Sequence, residues 1–341
     1  MSQVDVELKT GDWVEIKSPS EIAETLDADG TLDGLPFMTE MVEYCGRRLR
    51  VLRWGEKTCF EAGPYNYVLR EFRGNDVVLL DGLRCTGADH DGCQRLCLFF
   101  WKIAWLRKVT SGQSEVAADP VARKTLRSKL KTMTAPGRYF CQATEMVRAT
   151  YPQPIRKRRV LLKCFRDIRS GAVGILDMFW LILVPGFRKL RDAVIGRPWL
   201  LGNLTRTPVG TLGLKPGELV EVLSLEEMRQ TLDKKGRNRG LICDIELGAN
   251  CGKRYRVLSR LDRFISDVTG EMKQVEATVI LDGVHCLCAR VVGGCSRLDY
   301  GYWREVWLKR VEPVEPILTQ IEPATNRKPV TNKESKTQTL A

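Results

Sequence analysis

GDWVEIKSPSEIAETLDADGTLDGLPFMTEMVEYCGRRLRVL, residues 11–52, aligns without a gap on GELVEVLSLEEMRQTLDKKGRNRGLICDIELGANCGKRYRVL, residues 217–258, and 18 of the 42 positions are identical. Self-similarity over such a length marks one structural unit used twice. The ends of the unit match as well: LLDGLRC (79–85) pairs with ILDGVHC (280–286), and WKIAWLRKV (101–109) with WREVWLKRV (303–311).

Each copy carries the same local signals. Alternating V-E-[IV] after a glycine predicts a short strand. Ser18 and Ser224 are each followed three residues later by glutamate, Glu21 and Glu227, the capping-box spacing that opens a helix. Asp27 to Gly30 and Asp233 to Gly236 supply the turn chemistry that ends it. CGRRLRVLR and CGKRYRVLS alternate charged and apolar residues, as do the runs into DVVLLDGL and ATVILDGV, each closed by Asp-Gly. The last element sets Trp101 and Trp105, or Trp303 and Trp307, at the spacing of one helical turn. Four or five short strands and one helix in about 100 residues predict a small antiparallel barrel of the SH3-like kind.

The expected fold is therefore mainly β with α additions: two tandem small SH3-like antiparallel barrels joined by a basic helical connector. The expected boundaries are a cysteine-rich first barrel at 1–110, a basic, largely helical connector at 111–215, a second barrel at 216–312 and a disordered tail at 313–341. The net charge of +12 divides as −4 over 1–110, +14 over 111–216 and +2 over 217–341, so the excess lies in the connector and not on the barrels. MSQVDVELKTGDWVEIK has neither a basic start nor an apolar core of a signal peptide, which points to the cytoplasm. Twelve cysteines in a reducing compartment read as thiols or metal ligands and not as disulfides.

Cys85, Cys93 and Cys97 fall in CTGADHDGCQRLC with His90 between them, Gly87 and Gly92 give that loop freedom to fold round an ion, and Cys59 arrives from a neighbouring segment. Four converging sulfurs suit tetrahedral zinc, with an iron–sulfur cluster as the alternative. The predicted ligands are Cys59, Cys85, Cys93 and Cys97, with His90 and Cys141 as further candidates. The repeat acts as an internal control. Cys45 aligns with Cys251, Cys85 with Cys286 and Cys93 with Cys295, whereas Cys59, His90 and Cys97 belong to the first copy only. The recurring three read as packing positions of the module, Cys45 as core, and the metal as a property of the first copy. A second, less complete set would be Cys251, Cys286, Cys288 and Cys295, with Cys243 and His285 nearby.

In the connector, the apolar run from Ala172 to Phe187 is about sixteen residues long, holds Asp177 and Pro185, and has basic flanks. It is too short and interrupted for a membrane span. It reads either as a buried helix packing the modules together or as an interfacial helix in peripheral contact with a membrane. IRKRR (155–159) is a weak nucleic-acid footprint, and Cys164 reads as inert.

No P-loop, GxGxxG, HExxH or GxSxG occurs in a suitable context, and the chain has two histidines. His285 and Cys286 are adjacent on a predicted strand and point to opposite faces, which excludes a dyad. The recurring carboxylates Asp27/Asp233, Glu40/Glu246 and Asp81/Asp282 read as structural, and the tryptophans as core.

GDWVEIKS, TLDADGTLDGLPFM, YCGRRLRVL, HDGCQRLC and WKIAWL, with GELVEV, RYRVLSRLDRFISDVTGEM and YWREVWLKRV in the second copy, resemble a bacterial family of paired cysteine-containing barrel-like modules, some encoded near surface-polysaccharide or specialised-metabolite genes. The resemblance implies the paired architecture and a place in such a pathway, and it carries no activity. The functional expectation is a metal-binding, non-catalytic adaptor or accessory with a protein partner. An enzyme or electron-transfer protein using an iron–sulfur cluster, and a nucleic-acid-binding protein using the connector, are the alternatives.

Overall fold

The computed structural model describes residues 8–55, 57–63, 66–111, 119–152, 164–165, 168–169, 174–180, 182–183, 186–187, 200–243, 245–286 and 296–311. The expectations for 313–341, for Cys288 and Cys295 and for IRKRR lie outside these residues.

The first repeat forms β1 (Trp13–Ile16), β2 (Arg48–Trp54), the hairpin β3 (Lys57–Gly63) and β4 (Asn66–Phe72), then β5 (Val77–Arg84), β6 (Leu98–Lys102) and β7 (Leu106–Val109). Five of these make an antiparallel sheet in the order β6-β5-β2-β1-β7. Ser18 caps the helix Pro19–Ala23 in a complete capping box with Glu21. Asp27 closes the following turn by accepting from the backbone of Asp29 (3.0 Å) and Thr31 (2.8 Å).

Residues 119–152 of the expected connector pack on this first repeat. Asp119 caps the helix Pro120–Lys129, which buries Leu126. β8 (Thr150–Pro152) extends the β3–β4 hairpin into a three-stranded sheet. Between them, the Gln142 amide accepts from Phe100 N (2.8 Å) and donates to Phe100 O (2.9 Å) and Pro36 O (3.0 Å), taking the place of a neighbouring strand at β6.

The second repeat forms β9 (Leu219–Val222), β10 (Arg254–Arg260), the hairpin β11 (Arg263–Ile265) and β12 (Met272–Gln274), then β13 (Thr278–His285), β14 (Tyr300–Arg304) and β15 (Leu308–Arg310). Its sheet runs β14-β13-β10-β9-β15, the order of the first. Registers coincide residue by residue: Trp13↔Arg50 corresponds to Leu219↔Arg256, and Val14↔Lys108 to Val220↔Arg310. Even the irregularities recur, between Val51 and Arg53 and between Val257 and Ser259. In the bulged ends of β5 and β13, Gly82 and Gly283 adopt φ of 73° and 72°, with nothing within 4 Å of a Cβ, so conformation alone demands glycine there.

The tryptophans are core, all four fully buried. Trp101 and Trp105 are not on a helix. Trp101 lies on β6 and Trp105 ends the single 3-10 turn, Ile103–Trp105, that joins β6 to β7, and Trp303 on β14 and Trp307 at the end of Glu305–Trp307 repeat this. Phe37 stands edge-on to both rings at 6.0 and 5.1 Å. Trp105 Nε1 donates to Thr25 Oγ1 and Trp307 Nε1 to Thr231 Oγ1, each at 3.0 Å. A buried cation follows the first tryptophan in each copy. Lys102 Nζ binds Asp33 (2.8 Å), Asp76 (2.7 Å) and Arg73 O (2.7 Å), and Arg304 binds Glu276 O, Thr278 Oγ1 and Arg239 O.

Lys102→Ala removes the cation that ties two loops of the first barrel to the end of β6, while its partly exposed aspartates recover water. The expected loss is about 2 kcal/mol, read as a lowered midpoint in thermal unfolding.

Candidate functional site

The loop between β5 and β6, residues 85–97, is built by backbone geometry before any ligand is considered. Cys85 N donates to Cys97 O at 2.8 Å and closes its neck, and His90 N and Gly92 N both donate to Gly87 O. A Cβ on Gly87, at φ 75°, would sit 2.0 Å from Cys93 O, so only glycine permits this fold. The buried Glu40 carboxylate clamps the neck. It accepts from Thr86 N (2.8 Å), Gly87 N (2.9 Å), Thr86 Oγ1 (2.9 Å) and the Cys85 thiol (3.3 Å). Glu40 thus has a structural role, as expected. Sequence alone gave no sign that its partner would be this loop.

The loop borders a cavity of about 40 Å³ whose walls include Cys85, His90, Cys93, Cys97 and Cys141, together with Arg95, Arg297 and Asp299. That is room for two or three water-sized occupants. Five of the six residues expected at the first site therefore share one wall. Cys59 does not line the cavity. It lies in β3, and its carbonyl accepts from Arg297 Nη1 at 3.3 Å. As the side chains stand, no group of three or more His, Cys, Asp or Glu among the described residues is placed to hold a metal ion.

His90 is the unusual member. It is 2% exposed, and its Nε2 lies 3.1 Å from Phe140 O. A carbonyl can only accept, so Nε2 is the donor. Its Nδ1 is buried and has no hydrogen-bond partner. Burial pushes the Cys97 thiol up to about 12, against the pull of the Arg95 guanidinium. Burial also raises Cys85, and the Glu40 carboxylate beside it raises it further. Cys141 is raised by burial, opposed by bonds from the backbone N–H groups of Thr144 and Ala143. Cys93 Sγ accepts from Ile265 N at 3.4 Å.

In the other expected set, Cys286 N donates to Asp299 O at 2.7 Å, the counterpart of the Cys85–Cys97 neck, and Cys251 is half-buried in the second barrel. Cys45 is core, fully buried, its thiol pushed up to about 12 by burial.

The cavity lies on the seam between the repeats. Loop 85–97 packs on the second repeat's β11–β12 hairpin: Gln94 N donates to Arg263 O (3.1 Å), and Gln94 Oε1 accepts from Asp262 N and Arg263 N. In return, Arg297 and Ser296 reach Cys59 O and Lys57 O of the first repeat's hairpin. Arg95 and Arg297 are equivalent residues by the tryptophan alignment. Arg95 meets Asp267 (3.5 Å) and Asp299 (3.4 Å), and Arg297 meets Asp267 (3.5 Å) and Asp299 (3.0 Å). Arg84 donates to Leu96 O (2.7 Å) and to the equivalent Leu298 O (3.2 Å), and its guanidinium lies 4.2 Å from the Tyr300 ring. The equivalent of Arg84, His285, stacks on the same ring at 4.7 Å. Sequence reasoning passed over this network, although Q-R-L-C aligned on S-R-L-D already showed the paired arginines.

Compared with protein-family models, with curated proteins and with solved structures, the chain finds no match.

Burial works against ionisation of Asp267, but the guanidiniums of Arg95 and Arg297 outweigh it and hold the carboxyl below its usual 3.8. A carboxyl lowered in the folded state stabilises fully above its unfolded value and loses that contribution as pH falls through the lowered one. Asp267→Asn is expected to cost about 2–3 kcal/mol at neutral pH, since two buried cations lose a carboxylate that both of them share. Its unfolding midpoint should also fall less steeply than the wild type's as pH drops from roughly 5 to 3.

Proposed function

We propose that this chain is a metal-binding, non-catalytic adaptor or accessory protein whose first repeat holds zinc in the seam cavity. The observation that carries the reading is the buried, unpartnered Nδ1 of His90, on a wall shared with four cysteines. A histidine that donates its other ring N–H to a backbone carbonyl is arranged as metal-ligating histidines usually are, with tautomer and ring orientation fixed from behind. His90, Cys93, Cys97 and Cys141 form the proposed ligand set. Cys85 is left out because it donates its proton to Glu40, and Cys59 because it is not on the wall. Three sulfurs and one imidazole make a closed, structural donor set, which leaves no open position for chemistry at the ion.

The barrels are read as SH3-like. Support comes from the strand order, in which the first strand pairs with both the second and the last, and from the 3-10 turn that precedes the last strand in each copy. Service to surface-polysaccharide or specialised-metabolite biosynthesis rests on the family resemblance.

Protein purified without oxygen is expected to contain one equivalent of zinc by atomic emission, and to be colourless. His90→Ala and Cys93→Ser should lower the retained metal by ~10-fold or more, whereas Cys59→Ser should leave it unchanged. Metal-free wild-type protein sinks the reading, and iron with acid-labile sulfide replaces zinc by a cluster.

A further inference from the structure

The segment 174–187 presents a second feature that the seam does not explain. Its described residues 175–180, 182–183 and 186–187 are helical. Leu176 is 85% exposed, Phe179 63%, Leu183 53% and Phe187 67%, whereas Met178 is 2% exposed. In sequence the exposed four follow one another at intervals of three, four and four residues, an amphipathic spacing, and within the helical stretch 175–180 Leu176 and Phe179 share one face with Ile175 and Trp180 on its borders. An apolar stripe of this size left in water marks an interaction surface.

The charge around the stripe identifies its occupant. Residues 155–197 hold eleven Lys and Arg against three Asp, so both flanks of the apolar run are strongly basic. A protein groove would ask for apolar contact alone, while a lipid surface with anionic head groups satisfies stripe and flanks together. No helix among the described residues is long and apolar enough to cross a membrane. We propose that this apolar stretch docks on an anionic lipid surface, with Leu176, Phe179, Leu183 and Phe187 entering the boundary between head groups and acyl chains and the Lys and Arg that flank it in the sequence supplying the attraction to the phosphates.

The test is flotation of the full chain with vesicles of phosphatidylcholine, with and without phosphatidylglycerol. The chain is expected to float with the anionic vesicles, to stay behind with phosphatidylcholine alone and to be released by salt, since screening weakens the electrostatic part. L176E/F179E should reduce the bound fraction roughly tenfold or more. Both side chains are exposed, so the variant's unfolding midpoint should match the wild type's and exclude a folding defect. Three results overturn the proposal: no flotation on either lipid, flotation indifferent to lipid charge, or a wild-type dimer in light scattering that the variant dissociates, which would show a second copy covering the stripe.

Discussion

Two guanidinium groups at equivalent positions of the two repeats meet inside the seam, and Asp267 and Asp299 make that approach tolerable. Unpaired, Arg95 and Arg297 would repel each other in a medium that screens poorly. With each aspartate reaching both arginines, like charges become the centre of a four-member network. The position of loop 85–97 follows from this. Arg95 and Gln94 anchor it to the second repeat, and Cys93 before them and Leu96 and Cys97 after them line the cavity. The cavity wall is therefore shaped by how the two repeats meet as much as by the first barrel itself.

Much of the fold was legible because the chain states it twice. Capping serines, turn aspartates and Asp-Gly bulges recur at fixed offsets, and the sheet registers obey the same offsets. Trp101 and Trp105 stand at the spacing of one α-helical turn, yet Trp101 is on β6 and Trp105 ends the 3-10 turn that follows it. Of the site, the loop cysteines and His90 were legible from their crowding. Cys141 joins them because Gln142 fixes its segment against β6, a contact across 42 residues that no local pattern announces. Cys59, also expected at the site, does not line the cavity, because being on a neighbouring strand does not say which way a side chain faces; its carbonyl serves the seam.

The copies are alike where they make barrels and differ where they do something else. Tryptophans, capping boxes and buried cations at Lys102 and Arg304 are kept in kind. Residues 119–152 form an outer layer on the first copy and meet the second where Tyr139 N donates to Gly270 O, and the segment 200–214 serves the second copy, with Glu305 accepting from the backbone of Leu212, Gly213 and Leu214. Each barrel is thus completed by chain from the region between the repeats, which ties that region to the folding of both.

The reciprocal packing of loop on hairpin has the form of a two-fold dimer written into a single polypeptide. In a dimer of identical chains, any group placed beside the axis appears twice, so a thiol there would face a thiol and a carboxylate a carboxylate. Covalent linkage removes that obligation and keeps the halves at high effective concentration. Cys97 and Asp299 occupy matching places, one with sulfur and the other with oxygen, so the axis can hold a chemically lopsided chamber that no symmetric pair of single repeats could build.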